Sequence, residues 1–441
     1  MAHAGSVRGL DREIFGLALP TLATLVSEPL LLLADSAIVG HLGTEALAGL
    51  GIAANVLGVL TGLCIFLAYG TTGTVARRLG AGDQGGALAS GFDGLVLAVG
   101  LGVLLCLALQ LLVGPVTAAY GASPEVTGAA ATYLRVAAFG LPSILLLLAG
   151  TGVLRGLQDT RTPLRVVIAA NVANIGLNLL LVHGLRLGIA GSALGTLLAQ
   201  TGAAVVVAAV VIRRMRALHG RPRFRPGGVL GAARSGSWLV VRTATLQGAI
   251  TLTTLVATAS STVALAAHQV VSSLWVLLAF ALDALAIAGQ SIIGRALGAG
   301  EIELGRAMTR RMVGWGIVAG LVFGLAVWLA RPLYLGVFSP DPEVQRLVSQ
   351  VLLVVAVVTP VAGVVYVLDG VLIGAGDSRY LALAGLIALA AYAPLALLVW
   401  DHAAGLRWLW AAYGAFMLAR MATLVLRVRT PAWIRVGAVV G

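Results

Sequence analysis

Carboxyl groups occur inside a segment of this sequence that is otherwise apolar. Glu28 and Asp35 lie in the stretch LVSEPLLLLADSAIVGHLG, residues 25–43. In a helix their spacing is two turns, about 10.5 Å, so both side chains would lie on one face. A carboxyl group in hydrocarbon is costly and normally faces a cavity or a polar partner, where it can take up a proton or a cation. We therefore predict that Asp35 and Glu28 face a cavity or a polar partner and have a functional role.

Each of the two acids also has a purely structural interpretation. Asp35 is close to the end of its apolar segment and could reach lipid headgroups or cap the next turn. Glu28 precedes Pro29, and a proline inside a helix leaves a backbone carbonyl without its usual donor. Glu28 could then serve only to hold a kinked helix.

Asparagines follow a second helical stripe further along the chain. In NVANIGLN, Asn171, Asn174 and Asn178 are spaced i, i+3 and i+7 and share one face of a helix. Amides in such a position can hydrogen-bond a carboxyl group or cross-link helices. Thr196 and Gln200 add a weaker polar stripe on the next apolar segment. Like Glu28, Asn171 and Gln200 are candidates for lining a cavity or contacting a substrate.

The second half of the chain carries its own isolated charges, Arg242, Asp283 and Asp369. An arginine inside an apolar segment needs an anion, so a buried ion pair or triad is one interpretation. Ion coupling or substrate contact is the other. His268-Gln269 has no second His or Cys at ligand spacing, and we predict no metal, no other cofactor and no catalytic residue.

The elements that would position these residues are membrane-spanning helices. Of the 441 residues, 59% are hydrophobic and only 10% are charged, which is too apolar for a soluble core of this size. Apolar runs of about twenty residues recur along the chain, the length that crosses the hydrocarbon as a helix. We predict an all-α polytopic membrane protein with twelve spans, approximately 14–38, 46–76, 87–112, 130–156, 163–183, 190–212, 234–257, 263–295, 306–330, 345–374, 380–400 and 405–427.

Arginine placement predicts the topology. All 29 basic residues are Arg, and they cluster in the loops that follow even-numbered spans. By the positive-inside rule both termini are cytoplasmic. The net charge of +12 is therefore a topology feature that also contacts lipid headgroups, and we expect no nucleic-acid partner.

The chain contains an internal duplication. A shift of 218 residues carries LGAGD at 79–83 onto LGAGE at 297–301, and GVLRGLQDTR at 152–161 onto GVLIGAGDSR at 370–379. We predict an N-terminal six-helix lobe, 1–216, a basic linker, 217–230, and a C-terminal six-helix lobe, 231–441. Six spans per copy predict two bundles related by a pseudo-two-fold axis along the membrane normal. The isolated polar residues are not duplicated: the shift carries Asp35 onto Thr253 and Asn174 onto Tyr392.

Several motifs resemble the multidrug and toxic compound extrusion (MATE) family, in particular its bacterial DinF-like branch. They are SEPLLLLADSAIVGHLGTEALAGLGIA, LRGLQDTRTP, AAHQ, LDALAIAGQSIIGRALGAG and LDGVLIGAGDSR. The resemblance implies the MATE/MOP-type fold, a V-shaped cavity and export of drugs in exchange for protons or sodium ions. It also implies that Asp35 is the first-span coupling acid, that Asn174 and Asn178 form the fifth-span polar pair, and that Thr196 is the sixth-span threonine.

Together with this resemblance, these observations predict a secondary multidrug exporter of the bacterial cytoplasmic membrane. We expect it to be a monomer that works by alternating access with protonation of Asp35. Some relatives have an aspartate where this chain has Asn178, and Arg242 and Gln247 stand where sodium-type members carry an acid, so H+ is favoured over Na+. We expect amphipathic or cationic substrates and contacts with membrane lipids. The alternatives are a sodium-coupled exporter, a lipid-linked oligosaccharide flippase, which would need several arginines in its cavity, and an intramembrane transferase, which would need paired acids.

Overall fold

Helices account for nearly all of the regular structure. The computed structural model describes residues 7–217 and 225–438, and within those ranges it contains no β-strand. Residues 218–224 of the predicted linker lie outside the described ranges. The helices are α1 Val7–Gly40, α2 Thr44–Leu63, α3 Phe66–Gly80, α4 Gln84–Ala118, α5 Pro124–Ala137, α6 Leu141–Gly156, α7 Arg161–Asn178, α8 Gly188–Ala217, α9 Pro226–Ser260, α10 Thr262–Gly298, α11 Ile302–Leu329, α12 Arg331–Phe338, α13 Pro342–Gly374, α14 Ser378–Asp401 and α15 Leu406–Arg429.

Twelve helical segments of the described chain are long and apolar enough to cross a membrane. Their order matches the twelve predicted spans, and each extends a few residues beyond the apolar run from which it was predicted. The predicted fold class, an all-α polytopic membrane protein, is confirmed. The short α12 is an additional helix between the ninth and tenth spans.

Three spans of the first half are interrupted where the sequence predicts uniform helices. The second span breaks at Cys64–Ile65, between α2 and α3, and the fourth passes through a 3-10 turn at Ala138–Gly140, between α5 and α6. The fifth span changes from α-helix to a π-helix over Leu179–Gly184. The corresponding α10 and α13 run unbroken, α13 even through Pro360.

The repeated glycine motifs lie at the ends of helices. Gly82 and Gly300, the last glycines of the two LGAG sequences, share a φ of +76°, a left-handed conformation that glycine adopts without strain. Asp159 caps α7, because its Oδ1 accepts a hydrogen bond from the backbone N–H of Thr162 at 3.0 Å. The 218-residue shift carries Asp159 onto Asp377, but Asp377 makes no cap hydrogen bond to α14 and instead accepts one from Arg427 Nε at 2.6 Å.

The duplication reappears as identical close contacts in the two halves. A Cβ added at Gly102 would overlap the backbone of Pro142, and a Cβ added at Gly320 would overlap the backbone of Pro360. Both residues of the first contact shift by 218 positions onto those of the second. The same helix pair therefore packs at backbone contact distance in both copies, which only glycine permits.

The described chain forms two compact units. One contains the residues through Leu22 together with those from Ser237 onward, and the other runs from Ala23 to Gly236. We call them the C-unit and the N-unit. The beginning of α1 thus belongs to the C-unit and the beginning of α9 to the N-unit. These units divide the chain at other residues than the predicted lobes, 1–216 and 231–441, which stay a prediction.

Candidate functional site

The N-unit brings four of the predicted coupling residues into one chain of hydrogen bonds. Asn178 Nδ2 donates to Asp35 Oδ1 at 2.7 Å and to Asn174 Oδ1 at 3.0 Å. Asn174 Nδ2 in turn donates to Thr196 Oγ1 at 3.0 Å. Asp35 is only 5% exposed, and the two asparagines are fully buried. We call this group the Asp35 network.

Three helices build the Asp35 network. Asp35 lies on α1, the two asparagines on α7 and Thr196 on α8. The asparagines are four residues apart in the last turns of α7, so their side chains stack along one face. Immediately after Asn178 the backbone changes to the π-helix, a rare conformation that is frequent at functional sites.

Close packing fixes the position of Asn178. On α8, Gly195 faces the Asn178 side chain, and a Cβ at this position would overlap Asn178 Oδ1. That oxygen is buried and has no hydrogen-bond partner among the described residues. Both donor hydrogens of the amide are used, while its acceptor is unused.

A tyrosine that sequence reasoning missed completes the network. Tyr133 on α5 is 4% exposed and lies close to the side chains of Thr196 and Asp35. The duplication could have identified Tyr133 as a candidate, because the 218-residue shift carries it onto the apolar Val351. Like Asn178, which the shift carries onto Ala396, Tyr133 has no polar counterpart in the second half.

The predicted cavity residues of the first half lie apart from this network. Asn171 Nδ2 donates to the backbone carbonyl of Ser27 at 3.0 Å and so ties α7 to α1. Glu28 is exposed, in contrast to the buried Asp35, and no hydrogen bond or ion pair to Glu28 occurs among the described residues. Gln200 is half-buried and approaches Gly140, at the 3-10 turn of the fourth span.

The isolated charges of the second half meet in a buried ion triad. Arg242 Nη2 donates to Asp369 Oδ2 at 2.7 Å, and Arg420 Nη2 donates to the same oxygen. All three side chains are buried, with 5%, 2% and 3% exposure for Arg242, Asp369 and Arg420. Asp283 is half-buried nearby, and Tyr366 interacts electrostatically with all four charges.

Arg242 and Asp369 form the predicted ion pair, whereas sequence reasoning missed Arg420. The sequence could have identified Arg420, because an arginine within the last span needs an anion as much as Arg242 does. Two guanidinium groups bind this one carboxylate, so the triad has an excess of positive charge. That charge disfavours binding of a metal cation. Among the described residues, no cluster of three or more His, Cys, Asp or Glu side chains could hold a metal ion.

The chain matches a family model and several known proteins over most of its length. The MatE family model matches residues 20–180 and 240–398, one segment in each copy of the duplication. The chain is 30% identical over 431 residues to DNA damage-inducible protein F of Escherichia coli (strain K12), covering 93% of this chain and 90% of the relative. It is also 30% identical over 440 residues to Protein DETOXIFICATION 44, chloroplastic, of Arabidopsis thaliana, covering 96% and 84%.

The fold matches solved structures over almost the whole chain. A crystal structure of a Vibrio cholerae MATE transporter in the bent form aligns with a TM-score of 0.88 and 22% identity, covering 97% of this chain and 99% of that one. At this level of identity the likeness establishes a common fold. The chain-wide matches confirm the resemblance that the motifs predicted.

Proposed function

We propose that this chain, which belongs to the MatE family of multidrug and toxic compound extrusion transporters, exports amphipathic and cationic organic compounds in exchange for protons. Members of the family are transporters, so the transferase alternative falls away. The single observation that carries the proton proposal is the buried Asp35 carboxylate, held by the amide of Asn178 at 2.7 Å.

The hydrogen-bond pattern suggests how protonation changes the N-unit. An ionised Asp35 only accepts hydrogen bonds, which suits the N–H that Asn178 now donates. A protonated Asp35 carries an O–H and needs an acceptor, and Asn178 Oδ1 is the buried acceptor without a partner. Turning the amide to meet that proton breaks its bond to Asn174, so the two protonation states favour different arrangements of α1 and α7. A difference of this kind is what a coupled switch requires.

The ligand set favours a proton over a sodium ion. Within the Asp35 network Asp35 is the one carboxylate, and its other members are amides and hydroxyls that already hydrogen-bond one another. In the C-unit, two guanidinium groups already bind Oδ2 of Asp369, and their positive charges disfavour a further cation at this carboxylate. A sodium ion, which prefers several oxygen ligands, would have to displace these contacts.

Location and orientation belong to the same proposal. We place the protein in a bacterial cytoplasmic membrane as a monomer with both termini in the cytoplasm, on the basis of the arginine distribution. A relative from Escherichia coli supports the bacterial assignment, while a matched plant relative is named chloroplastic.

The test is transport by purified protein in proteoliposomes with a proton or a sodium gradient imposed separately. We expect a fluorescent organic cation to be driven by the proton gradient alone in the unchanged protein, and not at all in Asp35→Asn. Glu125→Gln, an exposed acid at the start of α5, is the matched control and should retain transport. Proton-driven transport by Asp35→Asn, or transport driven by sodium alone, would overturn the proposal.

A further inference from the structure

A groove with a single cationic side chain opens between α4 and α5 in the N-unit. Its volume is about 610 Å³, and we call it the α4–α5 groove. Its walls are built mostly of small residues and threonines. The lining residues used below are Gly114, Thr127, Gly128, Thr132 and Arg135.

Arg135 stands in this groove without an anion. It is exposed, and no acidic side chain pairs with it among the described residues. It lies eleven residues after Pro124, so α5 carries it about 16 Å from the helix start. An arginine at such a depth in a membrane span normally faces a partner or a polar cavity. The groove supplies the cavity but no protein partner.

The groove is open to ligands along one side and closed at its base. Nothing lies within 4 Å of a Cβ added at Gly114 or Gly128, so the space between the helices is free at both levels. At the bottom, Gln110 Nε2 donates to the backbone carbonyl of Arg135 at 2.7 Å and ties the two helices together. The closed end of the groove is therefore at the level of Arg135.

The threonine hydroxyls present acceptors to the groove. Thr127 donates its hydroxyl hydrogen to Ala122 O at 3.4 Å, and Thr132 donates to Gly128 O at 2.8 Å. With the hydrogens used, the oxygens keep lone pairs that can accept from a bound molecule. A ligand that fits must therefore offer an anion to Arg135 and hydrogen-bond donors to the threonines.

An apolar track leads along α4 into the groove. Leu107 and Leu111 are 59% and 82% exposed, and they share one helix face with Gly114 at spacings of four and three residues. In a membrane such a face contacts acyl chains. The combination of an acyl track, a cation and hydroxyl acceptors matches the chemistry of an anionic phospholipid.

We propose that the α4–α5 groove binds the headgroup of an anionic phospholipid with a hydroxyl-bearing headgroup, such as phosphatidylglycerol. Arg135 contacts the phosphate, the threonine oxygens accept from the headgroup hydroxyls, and an acyl chain lies along Leu107 and Leu111. The loop between α4 and α5 follows the third span, so the lipid belongs to the leaflet opposite the termini. An ammonium headgroup fits less well, because its cation would lie beside Arg135.

Native mass spectrometry of the purified chain with defined lipids tests the assignment. We expect phosphatidylglycerol to remain bound at collision energies that strip phosphatidylcholine. Arg135→Gln should reduce the bound fraction at least fivefold, and so should Gly128→Leu, which fills the groove without meeting any atom.

Matched controls separate the groove from general effects of charge and bulk. Arg407→Gln removes an exposed arginine on the same side of the membrane, and Gly100→Leu fills open space elsewhere on α4. Both variants should bind phosphatidylglycerol within twofold of the unchanged chain.

Equal retention of the two lipids, or equal losses in Arg135→Gln and Arg407→Gln, would overturn the proposal. Displacement of the lipid by millimolar inorganic phosphate would assign the groove to a free anion and refute the lipid assignment. If Gly128→Leu does not elute as a folded monomer, Arg135→Gln alone decides.

Discussion

Gly195 is the position at which adding one methyl group should disable the Asp35 network. An alanine Cβ there would overlap Asn178 Oδ1 and come within 3.2 Å of the Asn178 backbone nitrogen. The backbone of α7 cannot retreat without moving the helix, so the amide must leave its position. Gly195→Ala therefore breaks the bonds from Asn178 to Asp35 and Asn174 without touching either partner.

The expected magnitude follows from the two lost hydrogen bonds. A bond to a charged group contributes about 1.5–3 kcal/mol and a neutral one about 1 kcal/mol. The network should be weakened by about 2.5–4 kcal/mol, a factor of roughly 70 to 900 in the population of the intact arrangement. Alanine is favoured over glycine inside a helix by about 1 kcal/mol, which acts on the stability of the folded chain and helps the variant to fold.

Proton-driven dye transport per folded molecule is the assay, with melting temperature recorded alongside. We expect Gly195→Ala to lose transport by a factor in this range while it still purifies as a folded protein. Gly202→Ala is the matched control, two turns further along the same face of α8, where an added Cβ meets nothing within 4 Å. Wild-type transport by Gly195→Ala would show that the position of Asn178 is irrelevant to coupling.

Two further predictions concern the C-unit and use thermal unfolding of the purified chain. Asp369→Asn leaves two buried arginines without an anion, and we expect it to cost about 3–5 kcal/mol of stability; an unchanged melting temperature would contradict the triad. Gly363→Ala places a Cβ against the backbone carbonyl of Gly316 and should cost about 1–3 kcal/mol by forcing α11 from α13, whereas Gly314→Ala, in open space, should leave the melting temperature unchanged. Equal effects of the two alanines would refute the packing argument.

Hydropathy predicted the fold because a membrane helix is defined by length and composition alone. All twelve spans follow from runs of apolar residues. The interruptions could not be predicted in this way. Neither Cys64–Ile65 nor the π-helix at Leu179–Gly184 contains a proline, an aspartate, a glutamate or an arginine. They depend on how each helix packs against its neighbours, which no local pattern records.

The candidate site was predictable to the extent that its residues are out of place in hydrocarbon. Asp35 and the asparagines stand out for this reason, and they do come together. Tyr133 does not stand out, because tyrosine is common in membrane helices and its hydroxyl becomes informative only beside Thr196. Arg420 lies closer to the basic end of its helix, where an arginine is ordinarily a topology feature.

The division of α1 at Leu22 and of α9 at Ser237 determines where such a protein can be cut and recombined. A chain severed between residues 217 and 225 gives two fragments, and each carries a piece that packs with the other fragment's unit. Neither fragment is a self-contained module, although each descends from one copy of the repeat. Chimeras assembled from two relatives should therefore exchange parts at the middle of α1 and near the start of α9, where both parents keep their units whole.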